Sequence, residues 1–358
     1  MSPDDPQELR TRYEPREVRV LKPDRPMCTA RFSPCGRFLA AGSTDATVRR
    51  WDLADGATPE LPPMTGHDGW VQALAFHPDG RRLFSADSWG RICCWGLAGG
   101  EAEPCWTVAA AHDGWIRRLV LSPDGALAAS CGSDRTVRLW STADGRKLHE
   151  FDAHGGAVLA VAFHPDGAAL VAGDLMGMIT HWSLASGKAQ RALDARVLFK
   201  IDRLQDVGGV RCLGFDRAGA VLACAGTRPK TGGNVQGTPT VLLFDWETGQ
   251  IRHTATAGDD GDGFVYDVLW HADGVLMAVT SGNPGTGKLV FLRPGDDRPF
   301  FVTTRMANCH ALDLHPDGRR LVVSATNANS NGNGRRIGGG TEYPGNWSPL
   351  HLWEMPRV

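Results

Sequence analysis

Apolar and polar positions alternate in short runs along most of the chain, as in Val71-Gln72-Ala73-Leu74-Ala75-Phe76, and turn-forming residues separate the runs. A period of two is the pattern of a strand with one buried face. One run recurs. It ends at Pro78-Asp79-Gly80, Pro123-Asp124-Gly125, Pro165-Asp166-Gly167 and Pro316-Asp317-Gly318, with looser copies ending at Gly36, Gly219 and Gly274. The seven glycines lie 44, 45, 42, 52, 55 and 44 residues apart, and a repeat of that length decides the fold before any local reading does. The turn chemistry is specific: proline presets φ, aspartate suits the next position, and glycine takes the left-handed conformation that closes a bulged hairpin.

Fifteen residues after that glycine a second run ends in Trp51, Trp95, Trp140 and Trp182, and five residues later come Gly56, Gly100, Gly145 and Gly187. Phe244, Phe291 and Trp353 take the tryptophan place in the last three copies. Each copy reads as three or four short antiparallel strands, a to d. Gly66-His67 and Ala153-His154 before strand a, the Pro-Asp-Gly turn and the run GSDRTVRLW at the end of strand c resemble the WD-repeat (WD40-repeat) family of β-propellers over nearly the whole chain. The Trp-Asp pair itself survives only at Trp51-Asp52, with Phe244-Asp245 as a variant. The resemblance implies an all-β, seven-bladed propeller of four-stranded antiparallel blades. It also implies a hydrogen-bonded structural tetrad, best matched by His112, Ser130, Asp134 and Trp140; copies two and four carry Trp89 and Met176 where the aspartate belongs. The His-Ser-Asp set is read as structural rather than catalytic.

A ring escapes the edge-strand problem only if its first and last blades are joined. Copy seven stops just after strand c, and Glu17 to Lys22 is an alternating run with no partner upstream of copy one. This strand, about 17–22, is expected to complete the last blade. Residues 1–12 then form a polar tail, and 13–358 a single propeller with repeats over about 27–358. Glycine and proline, 44 and 22 of 358 residues, exceed the usual level of roughly 12% and are assigned to the hairpins.

Four insertions break the regular spacing. Two to twenty residues are added between strands b and c of copies five, six and seven, and about eight in the segment around Arg196 to Val207. Strand direction alternates, so all four fall on the face that carries the b–c and d–a connections. Long loops in a compact domain are usually functional or disordered. Those at 227–239 and 326–350 offer Arg335, Arg336, Tyr343 and Trp347 as partner anchors. On the same face, alignment of the strands a places Trp70, Trp115 and Phe264 at the inner rim, with Gln72, Arg117, Tyr266 and His310 two residues further along. In WD-repeat proteins this rim commonly holds a peptide or partner domain. The bland alternative is that Trp70 and Trp115 only pack between blades.

Composition adds mainly exclusions. With 38 Lys+Arg against 40 Asp+Glu the net charge is −2, which argues against a nucleic-acid footprint or a polybasic membrane anchor. No apolar run has membrane-span length, and the start, MSPDDPQELR, has no secretory pattern. The nine cysteines include no CxxC pair and read as small buried hydrophobes in a reducing compartment. GNPGTGK at Gly282–Lys288 lacks the helix of a phosphate loop, and the acidic run at Gly258–Gly263 lacks the later glutamate of a calcium loop. His77, His164, His271 and His315 sit in turns of different blades and are read as turn residues. The reading is a non-enzymatic, cytoplasmic, monomeric scaffold for a protein or peptide, without metal or cofactor, nucleic acid or membrane. The competing class is a propeller enzyme or small-molecule binder, such as a lactonase-like hydrolase with its site at the channel mouth. Against it, the aligned rim positions Pro26, Trp70, Trp115, Ala157, Gly209, Phe264 and Asn308 are poor ligand chemistry.

Overall fold

A computed structural model of the chain describes residues 6–54, 56–97, 103–152, 154–202, 204–230, 237–282, 285, 287–326 and 347–357. Seven four-stranded antiparallel sheets follow one another as blades. Their innermost strands, a, are Met27–Phe32, Val71–Phe76, Ile116–Leu121, Val158–Phe163, Cys212–Phe215, Phe264–Trp270 and Cys309–Leu314, and neighbouring a strands pack side by side around a central channel. Each blade is apolar on both faces and buries them against its neighbours. Between blades 1 and 2, for example, Val48 and Met64 meet Leu74, Leu83 and Trp95.

The last blade takes its outer strand from the other end of the chain. Arg16–Leu21 pairs antiparallel with Leu350–Glu354, with Glu17 opposite Trp353 and Leu21 opposite Leu350, in the sheet that contains Arg320–Ala325 and Cys309–Leu314. The pairing begins one residue earlier than the alternation alone suggests. A bulge between Glu17 and Arg19 aims Arg19 at Thr58 and the Gly56 carbonyl of blade 1, both at 2.5 Å, so the closing strand also touches the first blade. Upstream, the segment expected as a polar tail carries a helix, Pro6–Tyr13. Its Tyr13 is buried in the core of blades 6 and 7 and donates its hydroxyl to Asp273 at 2.8 Å. Burial first, and then the Asp273 carboxylate, push the Tyr13 phenol up to about 12.

The turn glycines adopt the left-handed backbone, with φ of 71° at Gly80 and 74° at Gly125 and Gly167. The histidines that open four of these turns do more than turn the chain. His77, His164, His271 and His315 donate Nε2–H to the turn-glycine carbonyl of the next blade, at Gly125, Gly219, Gly318 and Gly36, over 3.1, 3.0, 2.9 and 2.9 Å. Their Nδ1 atoms face the turn aspartate, near both its backbone N–H and its carboxylate. The bond from His315 to Gly36 joins blade 7 to blade 1.

Two insertions differ from the expected open loops. In blade 5 the strands run on to Pro229 and from Gly237, so residues 227–229 and 237–239 lengthen the two strands and keep pairing, at Thr227↔Pro239 and Pro229↔Gly237. The segment around Arg196 to Val207 forms a turn of 3-10 helix and the small hairpin Phe199–Asp202/Gln205–Gly208. Deleting residues 1–24 removes the closing strand and Tyr13 together; a differential scanning melt is expected to show a fall on the order of 10 °C or loss of cooperative unfolding, and an unchanged melting temperature would contradict the closure.

Candidate functional site

The b–c turn sits on a hydrogen-bonded chain that starts inside the blade. In blade 3, Trp140 Nε1–H donates to Ser130 Oγ at 2.8 Å, Ser130 bonds His112 Nε2 at 2.7 Å, and His112 Nδ1 reaches Asp134 at 3.0 Å. Burial lowers the His112 pKa, so the ring is neutral and donates from Nδ1. Burial would raise Asp134, but the bond from His112 and its neighbours outweigh that and hold the carboxyl well below its ordinary value. The set is buried against the blade, with no open side on which a nucleophile could meet a substrate.

Blade 2 corrects the expectation that Trp89 interrupts this chain, whereas blade 4 keeps only the His–Asp part of it. His67 bonds Asp87 at 2.9 Å and Ser85 at 2.6 Å, and Trp95 donates to Ser85 at 2.7 Å. In blade 4, His154 bonds Asp174 at 3.1 Å; Ala172 occupies the serine place, and His154 Nε2 has no partner among the described residues. Asp87 and Asp174 stand at the end of strand b, where blade 3 has Gly132. The carboxylate comes from two residues earlier, and the turn position it vacates is left to an apolar side chain. Trp89 is 68% exposed and Met176 38%.

Those two side chains belong to a larger apolar set on the same face. Trp70 is 48% exposed, and Leu204, at the tip of the inserted hairpin, is 99% exposed beside the exposed Ile201 and Val197. Leu204 holds a left-handed backbone, φ 66°, which a leucine adopts at a cost of order 1 kcal/mol. Isolated exposed apolar residues are ordinary, but several on one face of a disc are the pattern of an interaction surface. Sequence reading missed Trp89, Met176, Ile201 and Leu204; the signal available was the Asp at the glycine place, which frees the turn.

Inside this face the channel opens into a cavity of about 560 Å³. The sequence-predicted Trp70, Gln72, Trp115, Arg117, Tyr266 and His310 all line it. Phe264 does not; it lies beneath the Arg211 guanidinium, 4.7 Å from the ring centroid. Trp70 and Trp115 meet edge to face at 5.6 Å, and Arg117 stacks on Trp115 at 4.5 Å. Tyr266 and His310 meet at 6.1 Å; burial pushes His310 down to about 4, so it is neutral at pH 7. Trp347 is partly buried and is not among the lining residues, while Arg335, Arg336 and Tyr343 lie outside the described residues.

The floor of the cavity is ionic. Asp267 of blade 6 accepts from Arg118 of blade 3 at 2.9 Å and from Arg31 of blade 1 at 3.2 Å, so one carboxylate ties three blades across the channel. Burial alone would raise its pKa, but the two guanidinium groups prevail and hold it below the ordinary value. Asp313, deeper toward the other face, accepts the Phe32 N–H at 2.7 Å, and burial raises it to about 6. The acidic turn at 258–263 is neutralised by its own surroundings: Lys288 bonds Asp262 at 2.6 Å, Arg298 bonds Asp259 at 2.9 Å, and Lys230 pairs with Asp260. Among the described residues no group of three His, Cys, Asp or Glu side chains converges as a metal site.

Residues 16–52, 60–96, 103–141 and 145–183 match the family described as WD domain, G-beta repeat. Each matched unit starts in the outer strand of one blade and ends in strand c of the next, which is the offset that makes an N-terminal strand available to the last blade. The chain is similar to Nuclear distribution protein PAC1 of Arthroderma otae, 44% identical over 66 residues, 18% of this chain and 14% of that protein. It is similar to Nuclear distribution protein nudF 2 of Aspergillus clavatus, 42% over 69 residues, 19% and 15%, and to Nuclear distribution protein PAC1 of Mycosarcoma maydis, 48% over 56 residues, 16% and 12%. The chain thus spans only a small fraction of each relative's length.

Asp313 carries a pH test. Its folded pKa of about 6 lies above the ordinary 3.8, so the native state holds the extra proton between those values and stability falls as pH rises through that window. Asp313→Asn is expected to gain about 2 kcal/mol at pH 7.5 and almost nothing at pH 4 in urea denaturation; an equal effect at both pH values would contradict the assignment.

Proposed function

We propose, on the premise that the chain is a seven-bladed WD40-repeat β-propeller, that it is a non-enzymatic scaffold which receives a protein or peptide partner on the face of the b–c and d–a connections. The observation that carries the reading is the clustering on that face of exposed Trp70, Trp89, Met176, Ile201 and Leu204 around an aromatic channel mouth. Tryptophan and arginine dominate interface hot spots because they exchange large areas with water while losing little conformational freedom. The opposite face keeps its short Pro-Asp-Gly turns and offers no comparable set among the described residues.

The expanded loops of blades 5 to 7 extend the surface. The lengthened strands of blade 5 and the inserted hairpin before them supply a wall, and the blade 7 segment 326–350, with Arg335, Arg336, Tyr343 and Trp347, completes it in this proposal. The similarity to proteins named for nuclear distribution supports a scaffold role but identifies no partner here. An enzymatic reading finds less support, because the channel carboxylates Asp267 and Asp313 are held by arginines and backbone N–H groups. A cytoplasmic monomer fits this proposal, and no helix of the described residues is long and apolar enough to cross a membrane.

The test is an affinity capture from the native host with the wild type and with Trp70→Ala/Trp115→Ala. Partners recovered by the wild type are expected to be lost in the variant at unchanged melting temperature; equal recovery would remove the rim from the binding surface.

A further inference from the structure

Two arginines at the channel mouth carry charges that no carboxylate among the described residues pairs with. Arg117 of blade 3 and Arg211, just before strand a of blade 5, both line the cavity. Among the described residues neither makes an ion pair, in contrast to Arg31 and Arg118 one level deeper, which share Asp267. Their Nε atoms are shielded from solvent and have no hydrogen-bond partner among the described residues. Among the described residues their side chains' specific contacts are with ring faces, Arg117 on Trp115 and Arg211 on Phe264. Burial lowers both pKa values, and Arg117 is lowered further by Arg211 itself, so two like charges face one cavity.

Holding two desolvated cations together without a counter-charge is destabilising, and a structure retains such an arrangement where a ligand supplies the missing charge. The rest of the wall fits that role. Tyr266 lines the same cavity, and Thr326 Oγ1, also in the lining and buried without a partner among the described residues, can donate its hydroxyl proton to an anion. Neutral His310 adds no competing charge.

We propose that the channel mouth reads an acidic side chain of the partner: a carboxylate or phosphoryl group enters the cavity between Arg117 and Arg211, while an adjacent apolar residue lies against Trp70 and Trp115. This rests on the scaffold reading above and sharpens it by giving the partner's chemistry. Guanidinium groups pair with both oxyanions through parallel N–H···O bonds, and at a water-poor site these are the strong, selective kind. The ring faces beneath the arginines hold their planes without consuming their donors.

The test uses the full chain on an array of decapeptides with varied apolar flanks, each made with glutamate, phosphoserine, glutamine or lysine at its centre. Glutamate or phosphoserine versions are expected to be retained at least about fivefold over their glutamine counterparts, and whichever of the two leads identifies the anion. Arg117→Gln and Arg211→Gln should each abolish that preference. Because the two charges oppose each other, the melting temperature of Arg211→Gln should stay level or rise by a few degrees. Retention without charge preference, a preference that survives both substitutions, or no retention of any peptide overturns the inference. A fall of more than about 5 °C in Arg211→Gln does so too, since it would make the arginine structural. If capture of the native partner still depends on Trp70 and Trp115 while the array shows no charge preference, the scaffold reading stands and only this one fails.

Discussion

Every blade is apolar on both faces, so no blade is stable in the absence of its neighbours, and a linear stack would leave two apolar faces in water. The ring removes both ends at once, provided that the first and last blades are locked together. Here the lock is the pairing of Arg16–Leu21 with Leu350–Glu354. The Arg19 contacts to the blade 1 turn and the His315 to Gly36 bond reinforce it on the face of the a–b and c–d turns. The offset between the repeat in the sequence and the blade in space is what makes this possible, and it couples the two chain ends to the geometry of the channel. The cavity at the mouth exists because seven strands are held around one axis; with the ring open, Arg117, Arg211 and Tyr266 would have no reason to converge.

Most of this architecture was legible from the chain alone. Seven glycine-marked turns, four tryptophans at one spacing and an unpaired alternating run upstream specify the blades and their closure, because hairpin turns and period-two burial are local rules. What local rules do not reach is chemistry that crosses between blades. The histidines His77, His164, His271 and His315 look like turn residues in sequence, and only the neighbouring blade reveals the carbonyl each one serves. The Asp267 bridge to Arg31 and Arg118 joins positions 236 and 149 residues apart, beyond any periodicity. The tetrad of blade 2 and the His–Asp pair of blade 4 were obscured for a different reason: the carboxylate moved two places along the strand while its bond to histidine stayed.

The same shift explains how the candidate surface is built. Once Asp87 and Asp174 take over the bond to histidine, Trp89 and Met176 are released from the interior and stand in solvent on the face that already carries the inserted hairpin. Rim residues were legible because they follow strand a at a fixed offset. Arg211 stands at that same offset, two residues after Gly209, but only its lack of a counter-charge, which the sequence does not show, sets it apart. Stability and recognition pull in opposite directions there. The deep arginines are neutralised and brace the channel, whereas the shallow pair is left uncompensated at the entrance.

The account therefore places recognition at one mouth of a closed ring. The most direct measurement is amide hydrogen exchange of the full chain with and without a captured partner. Slowed exchange is expected at 69–72, 114–117, 204–211 and 264–266, with the Pro-Asp-Gly turns at 78–80, 123–125 and 316–318 unchanged. Slowed exchange confined to those turns, with the mouth unaffected, would contradict it.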